Sequence, residues 1–236
     1  MNMNKSKLYA SLLTAFLLSA ILCQAKEKSR LVENLKSGKQ QTVVMYGTSL
    51  TAAKYSAWVK QLQQALDKSY PGKAQVINSG ASGQWSTWGL ANLDKRVINK
   101  KPDTVLIEFA INDAYKPYKT TVEQARSNLE QMIERILKSN SKCEIVLMVM
   151  NPPIGSHLKV RPKIKDYYEM YRDVAKDRKL LLIDHYPIWE KILNDDAALF
   201  KKYVPDGIHP GPEGCKAVIT PNIAKVLGIK DEKKRP

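Results

Sequence analysis

The chain alternates short β-branched apolar runs with longer stretches of helical periodicity, and this alternation limits its fold more than any other feature. Such an order of elements is typical of a parallel sheet covered by helices on both faces. The predicted strands cover residues 42–46, 74–78, 104–110, 144–150 and 180–184. We therefore predict an α/β fold with three layers, α/β/α, around a five-stranded parallel sheet.

The helical stretches between these strands carry recognisable start and stop signals. Ser56 is suited to cap the helix after the first strand, and Thr121 to open a long helix whose apolar residues recur at spacings of three and four. The final helical stretch, 212–227, contains Pro221, which is expected to kink or split it because proline lacks the N–H of a helical residue. These patterns predict one domain without repeats.

The N-terminus has the pattern of a secretory signal peptide. Lys5 and Lys7 precede an apolar run, and small or polar residues follow near Ala25. We expect cleavage after Ala25 and a secreted or periplasmic protein, with an uncleaved anchor as the alternative. Lipid attachment at Cys23 is disfavoured because the bulky Leu22 precedes it.

The remaining chain is predicted to divide into three parts. Residues 26–40 form a lead-in, 41–229 the folded domain and 230–236 a basic tail. Removal of residues 1–25 lowers the formal charge from +15 to +13. This charge favours contact with an anionic polysaccharide or a cell surface. Because the lysines are scattered among acidic residues, as on solvated helix faces, we predict no nucleic-acid partner.

Cys143 and Cys215 are the cysteines that remain after residue 25. Export would permit a disulfide between them, and the sequence leaves their pairing open. They lie far apart in the chain, with no histidine at ligand spacing, so we predict no metal site. No cofactor is predicted either.

Polar residues follow the first three predicted strands. Ser49 lies in "YGTSLTA" after the first strand, where it could be a nucleophile or merely a helix cap. Gly80 and Gly83 lie in "NSGASGQWS" after the second strand, either as turn formers or as residues whose backbone approaches a ligand. Asn112 lies in "AINDAY" after the third. Since the carboxyl ends of parallel strands share an edge, these groups are expected to meet there.

A late segment, "DGIHP", adds Asp206 and His209. A serine hydroxyl needs a base to remove its proton, and a histidine with its pKa near neutrality suits this task. Asp206 would orient the imidazole and stabilise its protonated form. The N–H groups of Ser49 and Gly83, with the amide of Asn112, would then stabilise the negative charge on a carbonyl oxygen. The set predicts acyl transfer.

These four blocks, in this order, resemble those of the SGNH hydrolases, also called the GDSL esterase/lipase family. The resemblance spans residues 42–228. It implies a flavodoxin-like three-layer fold and an enzyme that hydrolyses esters or thioesters. It implies Ser49 as nucleophile, Asp206 and His209 as its partners, and Gly83 and Asn112 as oxyanion donors, with Gly80 as the alternative glycine. Two positions differ from the family pattern: Thr48 replaces the aspartate of the first block, and Ala110 replaces a glycine of the third.

The substrate is less well determined by the sequence. Trp85 and Trp88 follow Gly83, and flat aromatic faces suit sugar rings. His157, after the fourth strand, could contact substrate, whereas His185 is expected to pack inside the fold. We expect hydrolysis of O-acetyl esters on an extracellular carbohydrate. A lysophospholipase or thioesterase, a sugar O-acetyltransferase and a catalytically silent glycan-binding module are the alternatives.

Overall fold

The computed structural model describes residues 29–52 and 54–230. The predicted signal segment 1–25, with Cys23, lies outside these residues, as does the basic tail beyond residue 230. Within the described residues, five parallel strands form one sheet in the order β2-β1-β3-β4-β5. They are β1 Gln41–Gly47, β2 Ala74–Asn78, β3 Thr104–Glu108, β4 Glu144–Val149 and β5 Leu181–Asp184. This sheet confirms the predicted fold class.

Helices connect the strands and cover the sheet. In chain order they are α1 Arg30–Lys36, α2 Ala57–Ser69, α3 Ser86–Ala91, α4 Leu93–Arg96, α5 Ala110–Asp113, α6 Val122–Ser139, α7 Ser156–Lys159, α8 Ile164–Asp177, α9 Tyr186–Asp195, α10 Ala197–Tyr203, α11 Pro212–Gly214 and α12 Thr220–Leu227. Helix α2 packs against β2 and α12, and α6 packs against α3 and α8. These two groups of helices form the outer layers.

Strands β3 and β4 are buried along their whole length, as their largely apolar sequences predict. Strand β3 is two residues shorter than expected. It ends at Glu108 because Phe109 begins a helical turn, in which its carbonyl accepts the N–H groups of Asn112 and Asp113. The register of the sheet places Gly47, at the end of β1, beside Glu108.

The predicted helix signals are largely found. Thr121 caps α6, with its hydroxyl accepting the N–H of Gln124 at 3.1 Å. Ser56 precedes α2 as expected, but the expected cap is wrong because its hydroxyl donates to the carbonyl of Thr51 at 2.6 Å instead. The interruption predicted near Pro221 takes the form of a π-helical segment, Cys215–Ile219, between α11 and α12.

Helix α1 lies within the predicted lead-in and packs on the core of the domain. Its apolar residues, Leu31 among them, are buried. The carboxylate of Glu144 accepts the N–H groups of Arg30 at 2.7 Å and Leu31 at 3.0 Å, which satisfies two donors that a helix N-terminus leaves open. No helix of residues 29–52 and 54–230 is long and apolar enough to cross a membrane. Cys143 and Cys215 are both buried and form no disulfide.

Candidate active site

Ser49, His209 and Asp206 form a continuous chain of hydrogen bonds at the carboxyl edge of the sheet. Ser49 Oγ lies 2.8 Å from His209 Nε2, although 160 positions separate the two residues in the chain. His209 Nδ1 lies 2.6 Å from Asp206 Oδ2. No helix begins directly after Ser49, so the alternative role of this serine as a helix cap is wrong. The arrangement directs the basic nitrogen of the imidazole at the serine hydroxyl.

Asp206 is held as a carboxylate by its surroundings. Its Oδ1 accepts the N–H groups of His209 at 2.8 Å and Ile208 at 3.0 Å, while Oδ2 faces the ring. Burial raises the pKa of Asp206, but these hydrogen bonds together hold it below its usual value. The carboxylate therefore accepts a proton-bearing Nδ1, which leaves Nε2 of His209 free to accept the proton of Ser49.

Tyr55 lies against the imidazole from the loop that follows Ser49. The rings of Tyr55 and His209 are stacked, with centroids 4.2 Å apart and planes inclined by 17°. Because the tyrosine covers one face of the ring, the imidazole keeps its plane toward Ser49. The ring of Tyr55 thus holds the imidazole in the plane that joins Asp206 to Ser49.

The turn that carries Ser49 is fixed from below by Glu108. This buried carboxyl accepts the backbone N–H of Thr48 at 2.7 Å and the hydroxyl of Thr51 at 2.7 Å, with the hydroxyl of Thr48 at 3.0 Å. Burial raises the pKa of Glu108 to about 8. Gly47 makes the approach possible, since a Cβ at this position would fall 2.2 Å from Glu108 Oε1. Thr48, which stands in place of the aspartate of the GDSL block, is therefore paired with a carboxyl from the neighbouring strand.

The loop after β2 contacts both the Ser49 turn and the loop after β3. Gly80 packs against the backbone of Thr51, and its N–H donates to Asn78 Oδ1 at 3.0 Å, so this N–H is already occupied. Gly83 has a φ of +71°, which glycine adopts readily, and no acceptor for its N–H is found in the described part of the chain. The geometry favours Gly83 over Gly80 as a backbone donor.

Asn112 connects this loop to the end of β3. Its Nδ2 donates to the carbonyl of Gln84 at 2.9 Å, and its Oδ1 accepts Nη2 of Arg161 at 3.2 Å. Both contacts fix the orientation of the amide. An amide nitrogen carries two hydrogens, so one hydrogen of Nδ2 remains available for a ligand beside Gly83.

Trp85 and His157, the two side chains predicted to contact substrate, border the site formed by Ser49, Gly83 and Asn112. Trp85 is half-buried and stacks on Tyr118, with ring centroids 4.4 Å apart. Trp88 instead packs against the core beside Tyr46, so it does not line the site with Trp85. His157 lies next to Gly207, in the turn that carries Asp206.

His157 and His185 differ in their surroundings. Burial, followed by the charge of Arg161, lowers the pKa of His157, which is half-buried at the rim of the site. His185 is fully buried, and burial lowers its pKa to about 3. It lies 3.1 Å from the amide of Asn222 and packs inside the fold as predicted.

The order of these blocks matches a known family over most of the chain. The family described as GDSL-like Lipase/Acylhydrolase matches residues 45–217. The chain belongs to this family. The match includes Ser49, Gly83, Asn112, Asp206 and His209, and it ends before α12.

Two curated proteins and one solved structure show how far this acylhydrolase resembles its relatives. An arylesterase of Vibrio mimicus is 27% identical over 204 residues, which cover 86% of this chain and 89% of that protein. Esterase TesA of Pseudomonas aeruginosa is 27% identical over 175 residues, which cover 72% and 80% respectively. An acetylxylan esterase from Geobacillus stearothermophilus has the same fold, with a TM-score of 0.70 at 20% identity over 81% of this chain and 96% of that one. The chain is a carboxylic ester hydrolase of the GDSL-like family.

Sequence reasoning missed three residues of this acylhydrolase that contact the site: Tyr55, Glu108 and Arg161. A signal was present for two of them. Glu108 is a charged residue in an otherwise apolar strand, and such residues are buried only with hydrogen-bond partners. Tyr55 lies six residues after Ser49 on the same edge of the sheet. Arg161 follows a short helix after β4 and has no comparable local signal.

Proposed function

We propose that this acylhydrolase is a secreted serine esterase that forms an acyl-enzyme on Ser49 and acts on O-acetyl esters of an extracellular carbohydrate. The observation that carries the mechanism is the 2.8 Å contact between Ser49 Oγ and His209 Nε2, continued to Asp206 at 2.6 Å. Nucleophile, base and orienting carboxylate are the parts that such catalysis requires.

The reaction proceeds in two halves. His209 Nε2 takes the proton of Ser49 as Oγ attacks the ester carbonyl, and the N–H groups of Ser49 and Gly83 with Asn112 Nδ2 stabilise the resulting oxyanion. His209 then gives its proton to the departing alcohol, and the acyl group stays on Oγ. In the second half His209 takes a proton from water as its oxygen attacks the acyl-enzyme; the bond to Oγ then breaks, His209 returns the proton to Oγ, and the acid leaves.

The preference for an acetylated carbohydrate has two supports. Trp85 and Tyr118 present a stacked aromatic pair beside the loop of Gly83, and sugar rings pack well on aromatic faces. One of the solved structures with this fold is an acetylxylan esterase, at 20% identity. The formal charge of +13 that remains without residues 1–25 favours an anionic glycan or a cell surface as the place of action.

The mechanism is tested with Ser49→Ala and with Ser82→Ala as the matched control. Ser82 is an exposed serine in the neighbouring loop. With p-nitrophenyl acetate we expect Ser49→Ala to lose at least about 10⁴-fold in kcat, because no other group can take its place as nucleophile. Ser82→Ala should keep the full rate. A fluorophosphonate should label Ser49 in the wild type, as located by peptide mass spectrometry. Full activity of Ser49→Ala would refute the mechanism.

The substrate class is tested separately, by comparing acetylated xylo-oligosaccharides with p-nitrophenyl esters of two to sixteen carbon atoms. We expect the highest kcat/KM on acetyl esters and a steep fall with chain length. A preference for long acyl chains, or for lysophospholipids or acyl thioesters, would replace the carbohydrate by a lipid substrate. If added sugar acceptors received the acetyl group in place of water, the protein would be an O-acetyltransferase.

Secretion is inferred from the signal pattern of residues 1–25 and has its own test. The chain is expressed in full, and the protein is recovered from the periplasm or the medium. Its N-terminal residue should then be Lys26. Recovery with Met1 from the cytoplasm would contradict export without affecting the proposed chemistry.

A further inference from the structure

Arg161 is a buried cation directly behind the amide of Asn112. It lies between α7 and α8, and it is only 7% exposed. Its Nε donates to the carbonyl of Ile111 at 2.8 Å, and its Nη2 donates to Asn112 Oδ1 at 3.2 Å. The guanidinium also lies over the ring of Tyr115, 4.7 Å from the centroid.

None of these partners carries a negative charge. Among the ion pairs of the described residues, arginines such as Arg126, Arg135 and Arg172 bind carboxylates, and Arg161 does not take part. The nearby buried carboxyl of Asp113 accepts the N–H of Ser86 instead. Buried charges are normally paired, and an arginine stays protonated at neutral pH even when burial lowers its pKa. Within residues 29–52 and 54–230, the positive charge is therefore left without a carboxylate partner.

The charge of Arg161 reaches the groups that surround the proposed oxyanion position. Burial raises the pKa of Tyr118, and the charge of Arg161 opposes that rise. The same charge acts with burial to lower the pKa of His157. Tyr118 also contacts Gly83, since its hydroxyl donates to the carbonyl of that residue. Arg161 thus acts on Tyr118 and His157, two groups that border the proposed site.

The contact with Asn112 Oδ1 has two consequences for the amide. It fixes which end is oxygen and which is nitrogen, because a guanidinium donates hydrogen bonds and cannot accept them. It also polarises the amide, because a charged donor on the oxygen strengthens the hydrogen bonds that the nitrogen makes. Both effects are largest when Nδ2 faces a full negative charge.

We propose that Arg161 is the positioning residue of Asn112. It holds the amide of Asn112 toward the oxyanion, and its positive charge offsets the negative charge of the tetrahedral intermediate. This inference rests on the proposed role of Asn112 in ester hydrolysis. Arg161 acts through Asn112 and does not touch the substrate. The negative charge that would compensate this buried cation forms only during the reaction. Loss of Arg161 should therefore lower kcat and leave KM nearly unchanged.

The test is a double-mutant cycle of Arg161→Met and Asn112→Ala with p-nitrophenyl acetate. Loss of a direct oxyanion donor costs about 10²–10³-fold in kcat. Arg161 acts one hydrogen bond further away, so we expect Arg161→Met to lose about 10- to 100-fold in kcat, with KM changed by less than about threefold. In the Asn112→Ala background the same change should cost less than about threefold.

Two further variants separate this role from a structural one. Arg172→Met is the matched control, because Arg172 also lies near a tyrosine ring, Tyr186, but pairs with Asp184 away from the site. It should keep kcat. Arg161→Lys retains the charge and loses the planar fork, so we expect a deficit of about three- to tenfold that disappears when Asn112 is alanine. Thermal unfolding shows whether Arg161→Met is folded. If it is not, the double-mutant cycle is measured with Arg161→Lys in its place.

Three results would overturn the inference: an unchanged kcat in folded Arg161→Met and Arg161→Lys, equal losses with and without the Asn112 side chain, or a loss confined to KM. Ser49→Ala serves as the reference throughout. If Ser49→Ala is inactive while the cycle shows no coupling, the role of Arg161 is wrong and the proposed function stands. If Ser49→Ala is active, the proposed function itself fails.

Discussion

Tyr55 lies face to face with His209, with ring centroids 4.2 Å apart and an angle of 17° between the planes. The edges of the histidine ring are held by hydrogen bonds, with Asp206 at Nδ1 and Ser49 at Nε2. A stacked ring prevents rotation that would break both contacts. In the proposed mechanism it also stabilises the positive charge that the imidazole carries while the ester is cleaved.

Replacement of Tyr55 by leucine should therefore slow hydrolysis. A contact between a cation and an aromatic face at a partly exposed position contributes about 0.5–1 kcal/mol, which corresponds to a two- to fivefold loss in kcat/KM. Tyr55→Phe keeps the ring and is the control. Initial rates on p-nitrophenyl acetate measure the effect, and an equal loss in both variants would assign it to the hydroxyl of Tyr55 instead of the ring.

Glu108 should make the stability of the protein fall as the pH rises. Burial raises its pKa to about 8 in the folded state, and the unfolded chain has a value of about 4.3. Between these values the native state binds more protons than the unfolded state, so the free energy of unfolding decreases with pH and levels off above pH 8. The decrease is on the order of a few kcal/mol.

Urea unfolding between pH 5 and pH 9 measures this slope. In Glu108→Gln, which keeps the size of the side chain, the contribution of this group should vanish. Asp113 contributes to the pH dependence with the same sign, because burial raises its pKa to about 7. Asp113→Asn should therefore remove the contribution of Asp113 to the slope, and the double variant should remove both contributions. An unchanged slope in Glu108→Gln would show that Glu108 is already ionised at pH 5.

Gly47 cannot accept a side chain without moving Glu108. A Cβ at this position would lie 2.2 Å from Glu108 Oε1 and 2.5 Å from its carbonyl oxygen, and the backbone atom cannot rotate away. Overpacking of this kind costs about 1–3 kcal/mol, so Gly47→Ala should unfold at a lower temperature and lose activity through displacement of Ser49. Gly211→Ala is the control, since its nearest neighbour would be 3.8 Å away. Equal melting temperatures for Gly47→Ala and the wild type would contradict the packing argument.

The two cysteines of the folded domain should be unreactive until the protein unfolds. Cys143 and Cys215 are buried and unpaired, and burial raises their pKa values to about 12 and about 11. Since the thiolate is the reactive form, we expect no reaction with a chromogenic disulfide reagent in the native Cys23→Ser protein. Both thiols should react in guanidinium without reductant. Failure of the unfolded protein to react would reveal a disulfide.

The alternation of apolar runs with stretches of helical periodicity was sufficient to predict the architecture. Continuous apolar runs such as 144–150 must be buried on both faces, and the helices between them leave a parallel sheet as the arrangement that covers them. Parallel strands end at a common edge, so placing Ser49, Gly83 and Asn112 after successive strands also predicted that they meet there. This part depends only on the local pattern and on the geometry of the chain.

The tertiary structure alone decided which further groups surround those residues. The sequence left Gly80 as an alternative to Gly83, and the contacts of Gly80 with Thr51 and Asn78 separate the two. Arg161 reaches Asn112 across 49 positions of the chain, and Glu108 reaches Thr48 across 60. Such contacts depend on how layers of helices and strands pack against one another. The local periodicity of the sequence does not show which remote residues this packing brings together. The sequence therefore predicted the fold and the polar groups that meet at its edge, whereas packing decided the charges and hydrogen bonds that hold them.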